Sequence, residues 1–427
     1  MGIFTGRTLS WVAMAAVLSL GAVACANDSA DDNAAEPTAE ATSTSTDNDA
    51  PSQQSEQGTT SSTVSDDPVD SLRYNQIQVL GSHNSYHLQP SPEILQALGV
   101  LSKELADSIE YSHPPLDEQL ETYGIRQFEL DVFADPQGGL YANRQALAVL
   151  GKEPASGIAE LDEPGFKTFH VQDIDFDSSC LSLVDCLTTI NEWSQANPDH
   201  VPIMVMIEVK DQSIEEMIEE EGVDIGSIEL DFAQPVPTDG AVLDALDAEI
   251  RSVIPEESLF TPDDLRDDAA DLNSVVTESG WPTLAEMNGQ IVVGLVNTGE
   301  VRDMYREPSA VLEGRAMFTS ADPGDPDAAF VRVDDVLEDR AAVDKAVADG
   351  YIVRTRADIP TVEARTGDMT RANAAFESGA TFISTDYYVE SPFDAEYQIN
   401  LPDGDVARCN PVTAPPSCPT GNLEQLP

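Results

Sequence analysis

From residue 73 onward the chain alternates between short, nearly unbroken apolar runs and longer segments of mixed pattern. The clearest runs are Gln76–Gly81, Arg126–Phe133, Lys167–His170, Val201–Val209, Gln290–Val296, Tyr351–Thr355 and Ala380–Thr385. Runs with so few internal polar positions predict parallel strands covered on both faces. Between them, Leu181–Gln195 and Met369–Ser378 carry helical spacing and are followed by an Asn-Pro and a Gly stop. The alternation predicts an α/β fold, a TIM-type (β/α)8 barrel over residues 71–400, with an open parallel sheet as the alternative. The acidic stretch from 212 to about 285 breaks the rhythm and is expected to be an insertion forming a lobe over the rim.

Four successive runs end on polar side chains. These are Gly-Ser-His83-Asn84, Glu129-Leu-Asp131, His170-Val-Gln-Asp173 and Glu208-Val-Lys210. The steps from His83 to Glu129, His170 and Glu208 are 46, 41 and 38 residues, each about one strand, helix and return. In a barrel the carboxyl ends of the strands share one rim, so these groups are expected to converge. Glu129 and Asp131, two apart on one strand, face the same side, as do Glu208 and Lys210.

Asn84, Glu129, Asp131 and Glu208 then offer one amide oxygen and three carboxylates. Hard oxygen donors select Ca²⁺, or in second place Mg²⁺, over transition metals. Without a cation, three clustered carboxylates would repel and partly protonate. His83 and His170 are two of five histidines, and a pair of imidazoles beside such a metal suits acid–base cleavage of a phosphodiester. His87 reads as loop or pocket edge, and His113 and His200 as surface. Basic residues are scarce, so Lys210, Arg354 and Arg356 at strand ends are candidates for binding a substrate phosphate. The alternative for the arginines is neutralisation of nearby carboxylates.

Composition narrows the function. Of 427 residues, 41% are hydrophobic, enough for a core, while 78 acidic residues against 21 basic give a net charge of -57. Such a chain does not bind nucleic acid or an anionic membrane by general electrostatics, except where a bound cation reverses the local sign. The N-terminus reads as a secretory signal over residues 1–25. Arg7 is followed by an apolar run too short to span a bilayer. Ala22-Val23-Ala24-Cys25 resembles the bacterial lipoprotein box, with Ala22 where Leu is usual. Cys25 is then the lipidated residue, and the alternative is ordinary cleavage leaving a thiol. Residues 26–70 are an acidic, Ser/Thr-rich segment without Lys, Arg or aromatic residues, expected to be a disordered tether. The remaining cysteines form two close pairs, Cys180 with Cys186 and Cys409 with Cys418. Local disulfides in an oxidising compartment are the simplest arrangement, the second of them in a C-terminal tail at 401–427. None has zinc-type spacing.

Gly81-Ser-His83-Asn84-Ser-Tyr86, Glu129-Leu-Asp131, His170-Val-Gln-Asp and Ile207-Glu208-Val resemble the catalytic half of the phosphatidylinositol-specific phospholipases C. The span from about 73 to 390, including Arg354-Thr-Arg356, Glu363-Ala-Arg365-Thr-Gly and Ser384-Thr-Asp386-Tyr, is similar to the bacterial calcium-dependent members. The resemblance implies a TIM-barrel phosphodiesterase with His83 and His170 as catalytic residues. Ca²⁺ would be held by Asn84, Glu129, Asp131 and Glu208. Phosphatidylinositol would be cleaved to diacylglycerol and a cyclic inositol phosphate. A monomer at the extracellular face of a bacterial membrane, lipid-anchored or secreted, is expected. Two other readings share the barrel: a glycerophosphodiester phosphodiesterase, disfavoured because that family opens with His-Arg rather than His-Asn, and a catalytically silent ligand-binding lipoprotein.

Overall fold

All six residues of β1 (Ile77–Ser82) and all nine of β2 (Gln127–Asp135) are buried, as strands covered on both faces must be. The computed structural model describes residues 68–220, 231–393 and 395–424. The expected signal segment, Cys25 and the tether up to residue 67 lie outside them. The further strands are β3 (Gly165–Thr168), β4 (Ile203–Val209), β5 (Leu259–Phe260), β6 (Ile291–Leu295), β7 (Phe318–Thr319), β8 (Phe330–Arg332), β9 (Ile352–Arg356), β10 (Phe382–Thr385) and β11 (Ala407–Cys409).

Parallel pairing runs β6-β4-β2-β1-β10-β9-β8, and β7 pairs with β6. A parallel bridge between Ser320 and Phe330 joins the end of β7 to β8, which closes the ring. The fold is thus an α/β barrel of the TIM type, with the C-termini of its parallel strands on one rim. Two seams are narrow. Besides the β7–β8 bridge, β1 and β2 share the single register pair Gly81↔Gln127. A Cβ on Gly81 would sit 1.9 Å from Gln127 Oε1, so only glycine lets the Gln127 side chain cross the seam toward the Ser82 carbonyl. Below that point β11 runs antiparallel along β1, pairing Ile77–Val79 with Ala407–Cys409. The tail segment therefore supplies the lower half of the seam.

One strand departs from expectation. The run Lys167–His170 is not a parallel barrel strand: β3 is antiparallel to β2, with Val132↔Thr168 through Asp135↔Gly165 in register. β2 continues past the level of β4, and β3 folds back against this extension. Its apolar pattern reflects burial on both faces, which does not specify strand direction.

Around the barrel, the helix Leu183–Ala196 starts where Ser182 accepts the Asp185 N–H, and it buries Leu183, Cys186, Leu187, Ile190 and Trp193. Each such apolar side chain contributes roughly 1.5–3 kcal/mol on burial. Beside it lies Gly240–Val253, capped by Asp239 and burying Leu243, Leu246 and Ile250. This helix was expected within a lobe over the rim; it belongs instead to the outer helical layer, and β5 pairs with β6. Both expected disulfides are formed, with Cα separations of 5.4 Å for Cys180–Cys186 and 6.2 Å for Cys409–Cys418. Among the described residues no helix is long and apolar enough to cross a membrane.

Candidate active site

The polar residues that end β1, β2, β4, β9 and β10 open on the same rim and form three connected groups.

The first centres on His83, just past β1 and 5% exposed. Its Nδ1 lies 3.0 Å from Asp386 Oδ1, and Arg356 donates to the other Asp386 oxygen at 3.0 Å. Burial alone would raise the Asp386 carboxyl, but His83, Arg356 and His113 hold it well below the usual carboxylate range. His113 donates from Nε2 to the His83 carbonyl at 2.8 Å, and its Nδ1 accepts from the Tyr388 hydroxyl at 3.0 Å. Burial lowers its pKa, and these bonds need only a neutral ring. Behind the dyad, Asp358 accepts from the Asp386 N–H at 2.9 Å and from the Thr385 hydroxyl. Burial, then the Asp386 charge, push its pKa up to about 7.

The second group centres on His170, which follows β3 and is 8% exposed. The chain makes a tight turn in which Val171 and Asp175 pair, with Asp173 at φ 66°. That turn brings Asp175 Oδ2 to 2.8 Å from His170 Nδ1. His87 Nε2 lies 3.0 Å from both oxygens of the same carboxylate.

The third group holds the oxygen donors. Asn84 has a left-handed backbone, φ 43°, a strained conformation of the kind that clusters at functional sites. Its side-chain nitrogen donates to the Tyr111 hydroxyl at 3.2 Å, which leaves the amide oxygen as the atom to meet a cation. Ser85 fixes Asn84 beside β2, since the Ser85 N–H donates to the Glu129 carbonyl and its hydroxyl accepts the Glu129 N–H. Asp131 and Glu208 are register partners on β2 and β4. Glu129 is paired with Arg354 at 2.6 Å; Lys210 lies 2.7 Å from Glu208 and 3.4 Å from Asp131. Burial would raise Glu208, but Lys210 and Arg332 hold it below the usual range. Arg354 also pairs with Asp334, whose pKa falls to about 2 because Arg332, Arg354 and Arg356 outweigh its burial. Three carboxylates and an amide oxygen at one rim are the donor chemistry a hard divalent ion prefers, but Arg354 and Lys210 engage the carboxylates here. Among the described residues the group whose ligand atoms all lie within 4.8 Å of one another is His87, His170 and Asp175.

A cleft of about 150 Å³ lies against this rim, lined by Phe133, His170, Glu208, Val209, Lys210 and Met217 among others. Arg354 and Arg356, expected to bind a substrate phosphate, are both buried in ion pairs with carboxylates. His87, His113 and His200 are not pocket edge or surface. They are 0%, 4% and 0% exposed, and His200 is shared between the Ser194 hydroxyl and the Val201 carbonyl, with burial pushing its pKa down to about 4. Asp386, Asp175 and Asp334 had no assigned role from the sequence. Asp386 follows its strand by the same rule that singled out His83.

A parallel barrel whose mouth carries two aspartate-held histidines beside a cluster of hard oxygen donors has the layout of an acid–base phosphodiesterase. Residues 72–411 match the family described as phosphoinositide phospholipase C, Ca²⁺-dependent. The chain belongs to that family, and is thus a phosphodiesterase of the phosphatidylinositol-specific phospholipase C class. Among solved structures it is similar to a calcium-dependent phosphoinositol-specific phospholipase C from Pseudomonas sp, with 16% identity, 80% of this chain and 97% of that chain covered, and a TM-score of 0.48. A Ca²⁺-dependent phosphatidylinositol-specific enzyme from Streptomyces antibioticus matches at 16% identity over 74% of this chain and 95% of its own, TM-score 0.45. One from Listeria monocytogenes matches at 14% over 77% and 91%, TM-score 0.39. A comparison with curated protein sequences finds no match.

Proposed function

We propose that this protein cleaves phosphatidylinositol to diacylglycerol and a cyclic inositol phosphate, working from the outer face of a bacterial membrane through a lipid on Cys25. One observation carries the reading. Two histidines at one barrel mouth each present Nδ1 to a buried aspartate, at 3.0 Å for His83 and 2.8 Å for His170. Where Nδ1–H donates to the carboxylate, Nε2 is the nitrogen left to exchange a proton. One imidazole withdraws the proton of the inositol 2-hydroxyl and the other protonates the departing glycerol oxygen. Asn84, Glu129, Asp131 and Glu208 would hold Ca²⁺, which when bound acidifies the attacking hydroxyl and offsets charge on phosphorus. Lys210, which lines the cleft, is the basic side chain offered to the phosphate; Arg354 and Arg356 are buried and neutralise Glu129, Asp334 and Asp386 instead.

The test is release of diacylglycerol from phosphatidylinositol vesicles by the purified protein, with Ca²⁺ and with a chelator. The reading requires turnover with Ca²⁺ and its loss on chelation. Glycerophosphoinositol serves as the competing substrate: preference for it would transfer the assignment to a glycerophosphodiester phosphodiesterase. Binding of either without turnover would mean a silent receptor on the same barrel.

A further inference from the structure

His87, His170 and Asp175 come from two stretches of chain. His87 follows β1, and His170 and Asp175 flank the tight turn after β3. A bridge between His87 and Ser178 ties the two stretches together. Each of the three residues offers one ligand atom, and these atoms lie within 4.8 Å of one another. Asp175 Oδ2 is at their centre, 2.8 Å from His170 Nδ1 and 3.0 Å from His87 Nε2. The two rings stand at 86° to each other, with centroids 6.0 Å apart.

His87 is held as a metal ligand is held. Its ring is wholly buried and stacked on Tyr111, centroids 4.2 Å apart, and its Nδ1 lies 3.1 Å from the Tyr111 carbonyl. Metal-bound imidazoles characteristically give their second nitrogen to such an acceptor, which fixes the ring and aims the other nitrogen at the ion. Two imidazoles and one carboxylate are a donor set for Zn²⁺, whereas Ca²⁺ takes oxygen. With bonds of about 2.0–2.2 Å, tetrahedral ligands stand roughly 3.3 Å apart. The carboxylate would thus move outward by a few tenths of an ångström while the rings close on the ion. His170 lines the cleft and is 8% exposed, which gives an ion its way in from solvent.

We propose that His87, His170 and Asp175 form a Zn²⁺ site, separate from the oxygen donors at Asn84, Glu129, Asp131 and Glu208. Zn²⁺ there takes the Nδ1 through which Asp175 orients His170, so occupancy and turnover exclude each other. That second part rests on the catalytic role given above to His170; the site itself does not. An enzyme that works with one divalent ion is thereby shut off by another.

The experiment uses the purified protein, stripped of metal and resupplied with Ca²⁺. Co²⁺ is the first probe: at this site it should give the strong visible bands of a four- or five-coordinate ion. Excess Ca²⁺ should leave the bands in place, and one equivalent of Zn²⁺ should remove them. X-ray absorption of the Zn²⁺-loaded protein should show two imidazole nitrogens. Saturating Zn²⁺ should lower phosphatidylinositol cleavage at least about tenfold, reversed by a chelator that spares Ca²⁺. His87→Gln and His170→Ala should each lose the Co²⁺ bands. Bands erased by Ca²⁺, bands that persist in either variant, or a Zn²⁺ shell with fewer than two imidazoles would overturn the site. If His87→Gln does not fold, His170→Ala and the wild-type Zn²⁺ shell decide. Zn²⁺ bound by both rings with turnover undiminished would overturn the exclusion. If the metal binds as stated but no lipid is cleaved under any condition, the functional reading fails and the Zn²⁺ site stands.

Discussion

Arg126 and Glu424 meet as a fully buried ion pair beneath the barrel, although 298 positions separate them. Arg126 stands just before β2 and stacks on Trp193, 4.5 Å to the ring centre. Glu424 also accepts the Val201 N–H at 2.9 Å, just before β4. Removing one partner of such a pair strands the other charge, at a cost of about 3–5 kcal/mol. Glu424→Ala should therefore lower the unfolding free energy by that amount in urea titration. A change below about 1 kcal/mol would show that the tail is only draped on the barrel.

His83→Ala and His170→Ala should each reduce turnover by at least about 10²–10⁴-fold. Both side chains are nearly buried partners of wholly buried aspartates, so the melting temperature should also fall, while the melt stays cooperative and above the assay temperature. Stopped turnover with an intact melt separates loss of chemistry from loss of fold. Near-full rate in either variant removes that histidine from the mechanism.

Calcium should stabilise the folded state through the clustered oxygen donors. Saturation at a hundred times Kd adds about 2.7 kcal/mol, visible as a rise in Tm that a chelator reverses. Asp131→Asn and Glu208→Gln should abolish the rise, because each removes a charged ligand. An equal rise in these variants would place the ion elsewhere.

Asp358 gives a signed pH prediction. Its pKa is raised from 3.8 to about 7, by burial first and the Asp386 charge second. The folded state thus binds this proton more tightly than the unfolded chain does. The associated stability is complete below about pH 4 and is lost as pH rises through about 7. Asp358→Asn retains an acceptor for the Asp386 N–H and cannot ionise. Its stability should lack that downward slope, so the gap between variant and wild type should shift in the variant's favour from pH 5 to pH 8, by chemical denaturation at each pH. A constant gap would assign the pH dependence to another group.

Much of the barrel was legible because buried parallel strands of four residues or more leave an apolar run; β1, β2, β4, β6, β9 and β10 all do. β7 and β8 have two and three residues and leave no run to read. For Lys167–His170, burial was visible but direction was not, since an apolar run looks the same in either orientation. At the site, polar residues at strand ends marked His83, Asn84, Glu129, Asp131 and Glu208, and the structure brings these to one mouth. The same rule reached His170 by a false route, because an antiparallel turn-back delivers it. The burial of His87 and His113 was hidden because their partners, Asp175 and Tyr388, lie 88 and 275 positions away. Nothing in the local pattern around a histidine reports so distant a hydrogen bond.

β11 has one more effect, on the order of events during synthesis. The lower edge of β1 can be zipped up only after residues 407–409 have been made. Until then that edge is exposed backbone and the barrel is ajar. A chain that has not reached residues 407–409 lacks the backbone partner that completes this side of β1, so the seam is among the last parts of the barrel to form.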